Sequence, residues 1–145
     1  VLHQAISSPT GQRHRPLRSG ARLGDGATSY AALLATALSV PAAAVRLGID
    51  VDEVRRRLNM RQLYGIRLGE TWQLPAFQFL HGGGEVPGLH RVFTVLDEDL
   101  HAMAVWRWLA TPLPELATRE GMWSPLDWLT AGRHPDRVVA LAHHL

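Results

Sequence analysis

The chain has 145 residues, a length that suits one ordinary domain with an appendage and is too short for a large α/β enzyme core. It has no cysteine, which excludes disulfide staples, thiolate zinc sites, iron–sulfur ligation and a cysteine nucleophile together, and fits a reducing cytoplasm. The formal charge of +2 hides an asymmetry: residues 1–67 hold ten arginines against four acids, or +6, whereas residues 68–145 hold five arginines against nine acids, or −4. A basic front suits a polyanion, and an acidic rear is repelled by one.

All fifteen basic residues are arginine, which reads as coding bias rather than chemistry, and 46% hydrophobic residues with five tryptophans suffice for a core. No apolar run approaches the roughly 20 residues that span a bilayer, and the first residues lack the order of a signal peptide. A soluble, cytoplasmic chain with no membrane partner is expected.

Residues 1–28 are expected to form a flexible basic arm. Positions 7–28 are rich in Ser, Gly, Pro and Arg without apolar period, and Arg13, Arg15, Arg18 and Arg22 serve either phosphate contact or solvation. Order is expected to begin near Tyr30, with a short apolar helix over 31–38.

From Ser39 to Asn59 the pattern is helix, tight turn, helix. Ser39 caps a helix with Pro41 in its first turn, Gly48 supplies the turn, and Asp50 with Glu53 forms an Asp-x-x-Glu capping box. The second helix buries Val51, Val54 and Leu58; Asp52 and Arg56 point away from that stripe, and Arg55 and Arg57 flank it. Leu63–Arg67 and Thr71–Leu74 read as two strands around Leu68-Gly69-Glu70. A helix-turn-helix followed by such a hairpin resembles the winged modules of MerR-like and excisionase-like DNA binders. On that reading Asp52, Arg55, Arg56, Arg57 and Asn59 face DNA, with Arg61 and Arg67 reaching the backbone. The alternative is an alanine-rich helical hairpin with a solvated arginine face.

Residues 81–88 read as a hinge between a front unit, 29–80, and a rear unit, 81–145. His81-Gly82-Gly83-Gly84 matches a lipase oxyanion loop in form, but the chain has no Gly-x-Ser-x-Gly elbow. Beyond it only helices are expected: Leu89 to Leu96, Leu100 to Leu109, a Ser124-capped helix with Pro125 and Asp127 in its first turn, and a last helix after Pro135. That last helix carries the stripe Val138, Leu141, Ala142 and Leu145, expected to pack on Trp128 and Leu129. The fold class expected is mainly α, a helix-turn-helix with a small wing-like hairpin followed by a helical C-terminal domain.

The succession Leu74-Pro75-Ala76-Phe77-Gln78-Phe79, Gly84-Glu85-Val86-Pro87-Gly88-Leu89, Trp106-Arg107-Trp108-Leu109 with Pro112, and Ser124-Pro125-Leu126-Asp127-Trp128-Leu129 before Gly132 and Val138–Ala142 is similar to the Xre/MbcA/ParS antitoxins over residues 72–145. The resemblance implies a C-terminal domain that blocks an NAD-degrading RES-domain toxin, and an N-terminal part that binds the operon's own promoter DNA. It places Trp123, Trp128, Arg133, Arg137, His143, His144 and Leu145 on the toxin side, and implies a homodimer within a toxin–antitoxin hetero-oligomer. Two departures stand out: the front unit looks winged, and Arg119-Glu120-Gly121-Met122-Trp123 replaces a shorter approach to Ser124-Pro125. The competing function is a stand-alone winged regulator whose rear helices dimerise or sense a ligand. No acid/base pair, triad or phosphate loop marks an enzyme, and His134, His143 and His144 lack metal-site spacing, so no catalysis, metal or cofactor is expected.

Overall fold

The computed structural model describes residues 29–145, so the expected basic arm lies outside the described residues. The architecture is mixed α/β with mainly helices: seven α-helices and two small antiparallel hairpins among the described residues. In chain order these are α1 (Tyr30–Ala35), α2 (Val40–Leu47), α3 (Val51–Asn59), β1 (Ile66–Leu68), β2 (Thr71–Gln73), α4 (Leu89–Val95), α5 (Ala102–Ala110), β3 (Leu113–Thr118), β4 (Gly121–Trp123), α6 (Pro125–Thr130) and α7 (Asp136–Ala142). None of the helices is long and apolar enough to cross a membrane.

Local chemistry sets the helix starts. Ser39 Oγ accepts from the Ala42 amide at 3.2 Å, Asp50 Oδ1 from Glu53 at 2.8 Å and Ser124 Oγ from Asp127 at 3.0 Å, each satisfying a first-turn donor. Between α2 and α3 the chain reverses at Gly48, whose φ of 71° lies in the left-handed region. The first helix ends sooner than its apolar run suggests. Leu38 leaves it and exchanges two 2.8 Å backbone hydrogen bonds with Leu74, just past β2. Hydrogen bonding to a strand end outcompetes one more helical turn, because α1 is already closed by Thr36.

The hairpin β1–β2 pairs Ile66 with Gln73, Arg67 with Trp72 and Leu68 with Thr71, leaving Gly69-Glu70 as a two-residue turn with positive φ at Gly69. Leu68, expected in the turn, is therefore in a strand.

The segment 81–88, expected as a hinge, is stitched. Phe79 bridges Glu85, the Leu80 amide donates to Gly84 O at 2.9 Å, and Arg46 of α2 donates to Leu80 O at 2.7 Å. Apolar packing also crosses this boundary, since Tyr64 and Phe77 touch the rear core built on Leu89, Val92, Phe93, Leu109, Leu116 and Leu129.

The rear is not purely helical, which corrects the sequence expectation. Leu113–Thr118 and Gly121–Trp123 form a second hairpin, with a register shift between Leu113 and Ala117. After the two prolines that stop α5, Leu116 is the one buried residue of an otherwise exposed or half-buried stretch that pairs with β4, and Gly121 opens the return. The last helix packs against α4, with Val138 and Ala142 buried and an Arg91–Asp136 ion pair at 2.8 Å joining the two. It ends at Ala142, so Leu145 falls outside the stripe and is 43% exposed.

Candidate nucleic-acid interface

Helix α3 is anchored by Val54 and Leu58, both buried. The opposite side presents Asp52, Arg55, Arg56 and Asn59, all exposed and spaced i, i+3, i+4, i+7, so one polar stripe faces solvent. Glu53 organises its flank. Its carboxylate accepts from Arg56 Nε at 2.9 Å and Nη2 at 2.7 Å, and from Arg57 Nε at 2.8 Å. The Arg56 hydrogen bond, then that of Arg57, holds the Glu53 carboxyl down from the usual 4.5 to about 2. The expected capping box is thus half made: Asp50 caps α3, but the Glu53 side chain turns to the arginines instead of back to the cap.

The other cations differ in freedom. Arg55 lies 3.9 Å from Asp52, a loose pair between side chains 59% and 96% exposed. Arg57 is half-buried on Glu53. Arg67 is exposed on β1 and stacks 5.0 Å from the centre of the Trp72 ring on β2. Arg61 does not join this surface. It is half-buried with φ 60°, and its guanidinium donates to Leu96 O at the end of α4, a contact between front and rear units.

Two residues that the sequence reading missed place the hairpin. Gly65 has no room for a side chain: a Cβ there would lie 2.6 Å from Trp72 Cε3 and 2.7 Å from Leu58 Cδ2, so its absence lets Trp72 close on α3. Gln78, 1% exposed, accepts from the Tyr64 amide at 2.9 Å and donates to Tyr64 O at 2.8 Å and Pro75 O at 3.0 Å. Its primary amide thereby substitutes for a neighbouring strand. The signal available in sequence for Gln78 was only a polar residue between two phenylalanines.

At the rear, the structure brings Trp123, Trp128, Arg133 and Arg137 together. The two indoles meet edge to face at 6.4 Å, Arg133 lies 4.6 and 5.0 Å from their centres, and Arg137 lies 5.8 Å from Trp128. The indole N–H groups donate to Thr118 Oγ1 and His134 O, and Arg133 pairs with Glu120 at 3.2 Å, so much of this cluster is satisfied internally. His143, His144 and Leu145 are exposed beyond α7, apart from that cluster. The described residues contain no group of three or more His, Cys, Asp or Glu side chains able to hold a metal ion. A concavity of about 480 Å³ lined by Leu33, Phe77, Phe79, Trp106 and Leu126 is apolar and takes no residue from α3.

No protein-family model matches the chain, and no curated protein matches it. A solved structure, an NMR structure of Rv2175c, is similar to it at 28% identity and a TM-score of 0.54, over 74% of this chain and 79% of that one.

Proposed function

We propose that residues 29–80 are a winged helix-turn-helix and that the protein binds duplex DNA as a transcriptional regulator, with α3 in the major groove and the β1–β2 hairpin as wing. The observation that carries this reading is the solvent-facing stripe Asp52, Arg55, Arg56 and Asn59 on a helix fixed between a left-handed turn and a hairpin bearing Arg67. The Leu38–Leu74 bridge supports it, because it ties the segment between α1 and α2 to the end of the hairpin. Half-site readers pair, so a homodimer on promoter DNA belongs to the same proposal.

Fluorescence anisotropy on duplex from the gene's own upstream region tests it. Log affinity should fall linearly with log salt, by about 0.9 for each phosphate neutralised, and Arg67→Ala should flatten that slope by roughly one contact. Absence of salt-dependent duplex binding would refute the proposal.

Toxin neutralisation is a second reading for residues 81–145, favoured by one observation: His143, His144 and the apolar Leu145 are exposed and contribute nothing to the core. Co-expression with a RES-domain toxin, reading cellular NAD, tests it. The informative variant lacks residues 143–145 only, because Val138 and Ala142 are core and a longer deletion would unfold the rear unit.

A further inference from the structure

We propose that Arg56 reads a guanine on its major-groove edge and that Glu53 is the residue that positions it; this rests on the DNA reading above. A guanidinium has five N–H groups, one on Nε and two on each terminal nitrogen. In Arg56, Nε and Nη2 each give one to Glu53, at 2.9 and 2.7 Å, and Nη1 gives one to Met60 Sδ at 3.0 Å. One N–H on each terminal nitrogen is left over. Glu53 holds the Nε–Nη2 edge, so the Nη1–Nη2 edge, bonded to Met60 Sδ alone, is the one left to reach the O6 and N7 acceptors of guanine, and no other base edge offers that acceptor pair in the major groove.

The side chain is 53% exposed although all three guanidinium nitrogens are engaged. Fixing a guanidinium before contact lowers the ordering cost of a directional bidentate bond, whereas a phosphate contact tolerates a mobile cation. Arg55 has the opposite character, with one long contact to Asp52 and 59% exposure, and is assigned to the phosphate backbone. Glu53 does not face the base. It is a positioning residue that also removes one unit of positive charge from beside the groove.

The test uses the full chain, with sites selected from a random duplex library and then titrated by anisotropy at several salt concentrations. The selected site should contain a G·C pair whose replacement weakens wild-type binding about 5- to 140-fold. Arg56→Ala and Arg56→Lys should both lose that preference, and the lysine variant, which keeps the charge but not the fork, should keep the wild-type salt slope. Arg55→Ala should keep the preference and lose about one unit of slope. Glu53→Gln should bind unrelated duplex more tightly, because the net charge rises, while its guanine preference falls; a merely structural role would not produce that opposition.

Retention of the guanine preference in Arg56→Ala, with circular dichroism unchanged, overturns the assignment. A wild-type chain that binds duplex with the expected slope but selects no guanine also overturns it and leaves the DNA reading standing. A chain that binds no duplex at about 50 mM salt overturns both.

Discussion

Replacing Gln78 by leucine keeps nearly the same volume and removes three hydrogen bonds at once. The Tyr64 amide and the Tyr64 and Pro75 carbonyls lose their side-chain partner beside a residue only 1% exposed, so water has little access to replace it. At about 1 kcal/mol net for each bond, and more for a donor left bare, the loss is about 2–4 kcal/mol. Set against the ~5–15 kcal/mol that holds a domain of this size, that is a large fraction. Urea denaturation followed by far-ultraviolet circular dichroism reads it: the midpoint should fall by about 1–2 M with the slope unchanged. Duplex affinity should fall further than stability alone explains, since Tyr64 leads into Gly65 and β1. A loss below about 1 kcal/mol would refute the argument, because it would mean that the Tyr64 backbone finds other partners.

Gly65→Ala should cost about 1–3 kcal/mol and loosen the packing of Trp72, read as a shift in tryptophan emission, because the added methyl meets the indole at 2.6 Å. Asp50→Ala removes the cap of α3 and should cost about 1 kcal/mol by thermal denaturation, with Asp50→Ser restoring most of it. The Glu53 carboxyl titrates lower in the folded chain than in the unfolded one, so its contribution is full above about 4.5 and is lost as pH falls toward 2. The stability difference between wild type and Glu53→Gln should therefore shrink across that window, and its persistence at pH 2 would contradict the arginine fork. Carboxyl chemical shifts should also place Asp136 below the usual aspartate range, chiefly through its hydrogen bond from Arg91, and Arg91→Ala should bring it back up.

The sequence was most legible where one residue acts on its near neighbours. Ser39, Asp50 and Ser124 each cap the expected helix, and Gly48 makes the expected turn, because the donors lie three residues away and need no tertiary context. Contacts between residues far apart in sequence were not legible. Arg61 resembled any other exposed arginine near a helix end, yet a left-handed backbone turns it to Leu96, some 35 positions on. The β3–β4 hairpin was hidden because prolines at 112 and 114 read as breakers, whereas pairing with β4 and the burial of Leu116 in the rear core make that stretch a strand. At the candidate site, the exposed stripe of α3 followed from helical period, but the division of labour among its arginines did not. The spacing of Glu53 to Arg56 and Arg57, at i+3 and i+4, carries that signal, but Asp50 three residues before Glu53 gives the same glutamate the pattern of a capping box.

The reciprocal pair between Leu38 and Leu74 closes a loop of roughly 36 residues that contains α2, α3 and the β1–β2 hairpin. Its helices and hairpin are each closed by neighbours in sequence, while Arg46, Arg61 and Tyr64 reach partners beyond it, and closing the loop costs about 3 kcal/mol of chain entropy in one step. That pair is a lone bridge with no ladder on either side, and α1 is held separately by Leu33 on Ile66, Ala102 and Met103, so hydrogen exchange at the Leu38 and Leu74 amides should run ahead of exchange at Ala43 and Leu58.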